Sequence, residues 1–312
     1  MTTMRRKAFA PGHISGFFQI CRNSRNLEKY GSRGAGICIN KGVTSAVEIK
    51  ESDAQAIRVF INGKESAAEV TKQAIKNLIS AGSAYNKKTK QKGTKTQPPD
   101  SKYSITINTA LELPVSQGFG LSAAGALSAA LATAYALELK YPKTEAVSAA
   151  HKAEIACGTG LGDVVAEATG GVVFRREPGI PPHGVVDRID SDSDVVLCVV
   201  GEEILTKDII LNAKHIERIN DSGERCMIEF LADPTIANFF EVAYKFTLEI
   251  KLMSSPVINA INEARKYGAA SACMLGNSVF AMGDVDKMTN TLKEYGEVYL
   301  CEIDKDGMRV LT

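Results

Sequence analysis

The chain has 312 residues, enough for two ordinary domains with cores of their own, and two is the expected number. Its 37 Lys and Arg are interspersed with 36 Asp and Glu and leave a net charge of +1, so no overall field favours a nucleic acid or a membrane surface. Seven scattered cysteines form no CxxC pair, the opening MTTMRRK precedes only a short apolar patch, and no uncharged apolar run is long enough to span a bilayer. A soluble, cytoplasmic protein with reduced thiols and a small-molecule partner is expected. There is no internal repeat and no His/Cys ligand cluster, so any metal is expected on oxygen.

Residues 7–10 read as a short strand running into a turn at Pro11-Gly12-His13, and the small residues after it read as a loop that closes on something. Arg22 and Arg25 follow and read equally well as a solvated face. Gly31-Ser32-Arg33-Gly34-Ala35-Gly36 then has the composition of a glycine-rich loop, which is costly unless backbone must approach something closely; Ser32 is its candidate residue. Strands are expected over 37–50 and 58–61, with a turn at Asn62-Gly63. The tetrapeptide 63–66 lacks the upstream glycine of a Walker loop and reads as a turn into a helix over 67–81, where Val70, Ala74, Ile75, Leu78 and Ile79 recur at helical spacing. Lys87, Lys88, Lys90, Lys92 and Lys95, followed by Pro98-Pro99, have the character of a solvated, mobile loop. An RNA-binding patch would interleave aromatic residues, and only Tyr85 and Tyr103 stand at its margins.

The organising stretch is 113–139, LPVSQGFGLSAAGALSAALATAYALEL. A strand over 103–113 runs into a turn built on Pro114, Gly118 and Gly120, and an Ala- and Leu-rich helix follows. The change from glycine to alanine places the helix start near Ser122, read as the N-cap. A helix start leaves its first N–H groups unpaired and carries the positive end of the macrodipole, so this turn is a seat for an anion, most naturally a phosphate. Two common phosphate loops are excluded: Leu121 stands where a P-loop has Lys, and Ala123 where a dinucleotide fingerprint has its third glycine. The plain alternative is a glycine turn before an apolar helix.

Pro142 is read as closing that helix and Thr144 as capping the next, over 145–157, which Gly158 ends. His151 and Glu154 are three apart and share a helix face. Asp163 follows a third glycine-rich turn, at the N-cap position of a short helix ending at Gly170-Gly171. A strand over 172–176 carries Arg175, and the proline-rich turn 178–182 marks a domain boundary dividing 1–184 from 185–312. Beyond it come a strand over 195–200, helices around 207–219, 234–251 and 257–267, the segment 268–283, a helix over 285–295 and a strand over 298–303, an α+β sandwich.

Three glycine-rich motifs in this order resemble the GHMP kinase superfamily. The likeness covers both domains and implies its α+β, two-domain fold: an N-terminal ribosomal protein S5 domain 2-like part and a C-terminal ferredoxin-like α/β sandwich. It implies that Pro114, Gly118, Phe119, Gly120, Leu121, Ser122, Ala123 and Ala124 bind the ATP phosphates. In Gly-Phe-Gly-Leu-Ser-Ala-Ala the family's first serine is replaced by Leu121, while the second, a magnesium ligand in the family, is kept as Ser122. The segment 268–283 is similar to the motif that closes over the nucleotide. Asp163 matches the catalytic Asp and Glu154 the acidic Mg²⁺ ligand, though the interval between them is shorter than in mevalonate kinases.

Within the superfamily, APGHISGFFQI, GSRGAG and GTGLGDVVAEATGGVVFRREPG together are similar to the archaeal pantoate kinases. That resemblance implies ATP-dependent phosphorylation of pantoate to 4-phosphopantoate in coenzyme A biosynthesis, with Ser32, His151 and Arg175 on the acceptor. Arg175 would form a forked pair with the carboxylate, while His151 reads almost as well as a hydrogen-bonded core histidine. Family analogy alone suggests a homodimer. The alternatives are a GHMP kinase for another small hydroxy acid or alcohol, such as mevalonate or homoserine, and a non-catalytic metabolite-binding relative. Retention of Ser122, Glu154 and Asp163 disfavours the second.

Overall fold

Two long strands begin the chain, β1 (Met4–Cys21) and β2 (Gly31–Ser52), and they pair antiparallel from Met4 opposite Ile49 to Cys21 opposite Gly31. The computed structural model describes residues 3–22, 24–89, 102–202 and 212–312. After β2 come β3 (Ala56–Ile61), β4 (Lys64–Ser66), α1 (Glu69–Thr89), β5 (Lys102–Leu111), α2 (Leu121–Ala136), α3 (Pro142–Cys157), α4 (Asp163–Thr169), β6 (Val172–Glu177) and β7 (Val185–Ile189). The remainder is β8 (Asp194–Val199), α5 (Ala213–Ala232), α6 (Ile236–Ile250), α7 (Ser255–Ala264), β9 (Gly268–Cys273), β10 (Ser278–Gly283), α8 (Val285–Leu292), β11 (Glu297–Glu302) and β12 (Arg309–Leu311).

Two sheets result. The first runs β12-β1-β2-β5-β3-β4, with β6 added to β2 and β7 to β6; the second runs β11-β8-β10-β9. Sheet membership crosses residue 184, because β7 and β12 both join the first sheet. Helix α2 packs between β1 and β2 on one side and α1 and α3 on the other. It is apolar all round and buried along nearly its whole length, as such a helix must be. Between β1 and the helices α5 and α6 lies an aromatic cluster in which Phe230 meets Phe17 at 5.7 Å and Phe174 at 5.3 Å, centroid to centroid. These rings anchor the half of β1 that reaches the functional site.

Several local expectations are corrected. Residues 11–16 are not a loop: β1 is continuous, and its Pro and Gly residues lie at register slips, between Pro11 and Gly12 and between Ser15 and Phe17. Gly31 to Gly36 is likewise strand, paired to β1 throughout and, from Gly34 on, to β6 as well. Glycine is needed there because neighbours press close; a Cβ on Gly34 would lie 2.3 Å from the Phe17 carbonyl oxygen. Helix α1 starts two residues later than expected and continues to Thr89, so Lys87 and Lys88 fall on it, while Lys90, Lys92 and Lys95 lie outside the described residues. Residues 64–66 form a short strand rather than part of a turn. Of the helix expected over 207–219, residues 207–211 lie outside the described residues and α5 begins at Ala213. Pro142 opens α3 instead of closing α2, its missing N–H being harmless in a first turn, so Thr144 is inside the helix rather than its cap.

Candidate active site

The turn before α2 is made by left-handed glycines, Gly118 at φ 79° and Gly120 at φ 69°. Gly120, not Ser122, is the N-cap; the left-handed backbone turns the chain, and Ser122 falls in the first helical turn with its hydroxyl free for another role. Among the described residues no side chain caps this helix. Its first amides therefore remain available to an anion. The turn is held from the second sheet. Gln117 is buried, donates through Nε2 to the Gly201 carbonyl at 3.2 Å and accepts from the Ser278 hydroxyl at 3.1 Å. The β9–β10 hairpin presses against the same turn, since a Cβ on Gly118 would lie 2.8 Å from the Met274 carbonyl oxygen.

A cleft of about 480 Å³ opens beside the turn. Its lining includes Pro114, Gly118 to Ala123, Glu154, Gly160 to Asp163, Ser32 and Arg175, so the structure brings most of the sequence-predicted residues together. Two of them it does not. Ala124 is buried and its N–H donates to the Gly120 carbonyl at 3.1 Å inside the helix, so that amide is not offered to the cleft. His151 is also buried and does not line the cleft; its Nε2 lies 3.1 Å from the Leu27 carbonyl and 3.0 Å from that of Tyr30. Burial lowers the proton affinity of this imidazole, and as a neutral donor it fixes the turn that leads into Gly31-Ser32. Arg22 and Arg25 are likewise absent from the lining.

Two carboxylates converge beside Gly160, where a Cβ would lie 2.1 Å from Glu154 Oε2 and 3.4 Å from Asp163 Oδ2. Glu154, in the last turn of α3, accepts from the Ser122 hydroxyl at 2.6 Å. Burial raises its pKa to about 7; the Asp163 charge adds to the rise and the Ser122 hydrogen bond opposes it. Asp163 is the first residue of α4, with Gly162 as N-cap, so its side chain is not used as the cap expected of it. Burial raises its pKa too, yet the His13 hydrogen bond, at 2.7 Å between Nδ1 and Oδ1, together with the charge of Arg175, brings the net shift below the ordinary value. Arg175 is 2 % exposed, and its Nε and one terminal nitrogen, Nη1, have no acceptor among the described residues. A buried guanidinium with unused donors is a ready anion site. Ser32 and Arg175 meet at Gly162, where a Cβ would be 2.5 Å from the Ser32 hydroxyl and 2.6 Å from Arg175 Nε.

Three residues with a part in this geometry carry no role in the sequence reading: His13, Gln117 and Glu167. His13 and Gln117 have no spacing signal. Glu167 does, standing four residues after Asp163 on the same face of α4. It is fully buried with neither carboxylate oxygen hydrogen-bonded among the described residues, and burial, with the charges of Asp163 and Glu154, pushes its pKa well above the ordinary value.

The GHMP kinases N terminal domain family matches residues 77–171, which contain the phosphate turn, Glu154 and Asp163. A pantoate kinase of Methanocaldococcus jannaschii is 33% identical over 295 residues, covering 95% of this chain and 99% of that protein. The chain belongs to the pantoate kinases of the GHMP superfamily. A second pantoate kinase, from Thermococcus kodakarensis, is 29% identical over 88% of this chain and 87% of its own. Among solved structures, a phosphotransferase related to the CoA biosynthesis pathway superposes with a TM-score of 0.83, at 26% identity and 99% coverage of both chains. The two-sheet architecture is thus the GHMP kinase fold, and the α+β reading holds.

Proposed function

We propose that this chain transfers the γ-phosphoryl group of ATP to a hydroxyl of pantoate, giving 4-phosphopantoate for coenzyme A biosynthesis. One observation carries the reading: an uncapped helix start, a Ser122–Glu154 oxygen pair, an ionised Asp163 and an underused, buried Arg175 all border one cleft. Phosphoryl transfer is mainly positioning and charge stabilisation, and these groups supply both.

Backbone amides of the 118–123 turn would hold the phosphates. Ser122 and Glu154 would hold Mg²⁺: both are hard oxygen donors, 2.6 Å apart, and Mg²⁺ characteristically takes only one or two protein ligands beside phosphate and water. Among the described residues no set of three or more His, Cys, Asp or Glu forms a larger metal cage. When bound, the ion supplies positive charge to the phosphate oxygens. Asp163 is ionised at neutral pH and would accept a hydrogen bond from the attacking hydroxyl; with its pKa depressed it is a weak base whose main service is to orient the alcohol. Arg175 would take the carboxylate of pantoate, with Ser32 donating beside it.

A coupled assay of ADP release, omitting pantoate, ATP and Mg²⁺ in turn, tests this. Turnover should require all three, and mevalonate or homoserine should not replace pantoate. Equal turnover with either would defeat the pantoate assignment.

A further inference from the structure

His13 lies between the two register slips of β1, a segment in which Pro11 faces Gly42 but Gly12 faces Ile39. Bulges re-aim side chains, and here the imidazole lies beside α4 with its own surface fully covered. The opposite strand is shaped to receive it: a Cβ on Gly36 would lie 2.4 Å from His13 Nε2 and 2.9 Å from the ring carbon Cε1. The same residue touches the phosphate turn, its N–H donating to the Phe119 carbonyl at 3.0 Å. One short segment of strand thus contacts both the phosphate turn, through backbone, and Asp163, through the ring at 2.7 Å.

We infer that His13 is a positioning residue for the transfer step: its neutral Nδ1–H tautomer donates to Asp163 Oδ1 and leaves Oδ2 for the acceptor hydroxyl. This rests on the reading of Asp163 given above. Nε2 is buried without a partner among the described residues, as it would be if the ring is placed for its other nitrogen alone. Burial makes the ring hard to protonate despite the nearby carboxylate, and Arg175 opposes a second cation there. Oδ2 lies on the side of Gly160 and Glu154, towards the proposed metal pair. A carboxylate with one oxygen committed cannot rotate freely, so its second oxygen meets the alcohol in one orientation.

Three replacements separate positioning from packing. The amide nitrogen of Asn reaches about where Nδ1 does, that of Gln about where Nε2 does, and Leu offers no donor. His13→Leu and His13→Gln should lower kcat about ten- to hundredfold with the KM for ATP unchanged, and His13→Asn should recover most of the loss. Equal losses in the Asn and Gln variants, or a loss falling on the ATP KM, would overturn the assignment.

A measurement on the intact protein needs no such variant. The chain has four histidines, and ¹⁵N shifts report the tautomer of each. One should be an Nδ1–H imidazole whose signals change in Asp163→Ala; only Nε2–H neutral rings would overturn the inference. Full turnover in Asp163→Ala would instead sink the reading of Asp163. An inactive Asp163→Ala beside a fully active His13→Leu would remove His13 alone.

Discussion

Glu154 and Asp163 converge beside Gly160, Glu154 buried and the Asp163 side chain 26 % exposed, and their proton affinities move in opposite directions. Burial raises both. The difference lies in the partners: Asp163 has a ring N–H at 2.7 Å and the Arg175 charge nearby, whereas Glu154 has one hydroxyl at 2.6 Å and the like charge of Asp163. Paired carboxylates whose surroundings drive them apart are how one site obtains two functions from one chemistry. Asp163 stays ionised and can orient an alcohol at any working pH. Glu154 gives up its proton most readily when a cation takes the proton's place.

The largest test of this division is Asp163→Ala, expected to lower turnover by about 10²- to 10⁴-fold while nucleotide binding is spared, since Asp163 is not part of the phosphate turn. Unchanged turnover would remove it from the reaction. Next is Arg175→Lys, which keeps a charge but loses the planar fork. The KM for pantoate, or kcat/KM, should worsen about ten- to a hundredfold, as for one lost charge-assisted hydrogen bond, with little change in the ATP KM. A weakened ATP KM would mean that Arg175 faces the nucleotide instead. A smaller effect should separate the carboxylates by pH. With a Glu154 pKa of about 7, Mg²⁺ must compete with a proton below that pH, so apparent Mg²⁺ affinity should rise as pH goes from 6 to 8, by about tenfold. Glu154→Gln should flatten that dependence; the same slope in the variant would place the metal elsewhere.

The glycine turn and the long apolar helix were legible in sequence as a local composition change at residues 118–124, and the two carboxylates through the likeness of their motifs to those of the GHMP kinases. What escaped was long-range. Gly31 to Gly36 has the composition of a loop, but its glycines serve closeness between strands, with Phe17 and His13 across the sheet. His13 itself gains a role only when residue 163 is brought beside it, 150 positions along the chain. The same distance explains His151: helix spacing puts it one turn from Glu154, whereas packing commits its ring to the Leu27 and Tyr30 carbonyls.

Glu167 sharpens the comparison as a third carboxyl, buried and without a hydrogen-bond partner among the described residues. Its folded pKa is well above that of an unfolded Glu, so the folded state holds the proton more tightly. The stability this contributes is fully present below the unfolded value of 4.5 and is lost as pH rises through the folded one. Glu167→Gln preserves the shape without titrating. Its thermal midpoint should therefore be close to wild type near pH 4.5 and exceed it increasingly on the way to pH 8, by about 1.4 kcal/mol of stability for each pH unit until the folded pKa is passed. Chain-wide titrations cancel in the difference between the two proteins. A gap that is constant with pH would mean that Glu167 finds a compensating partner, and that burial without partners is not what sets its charge.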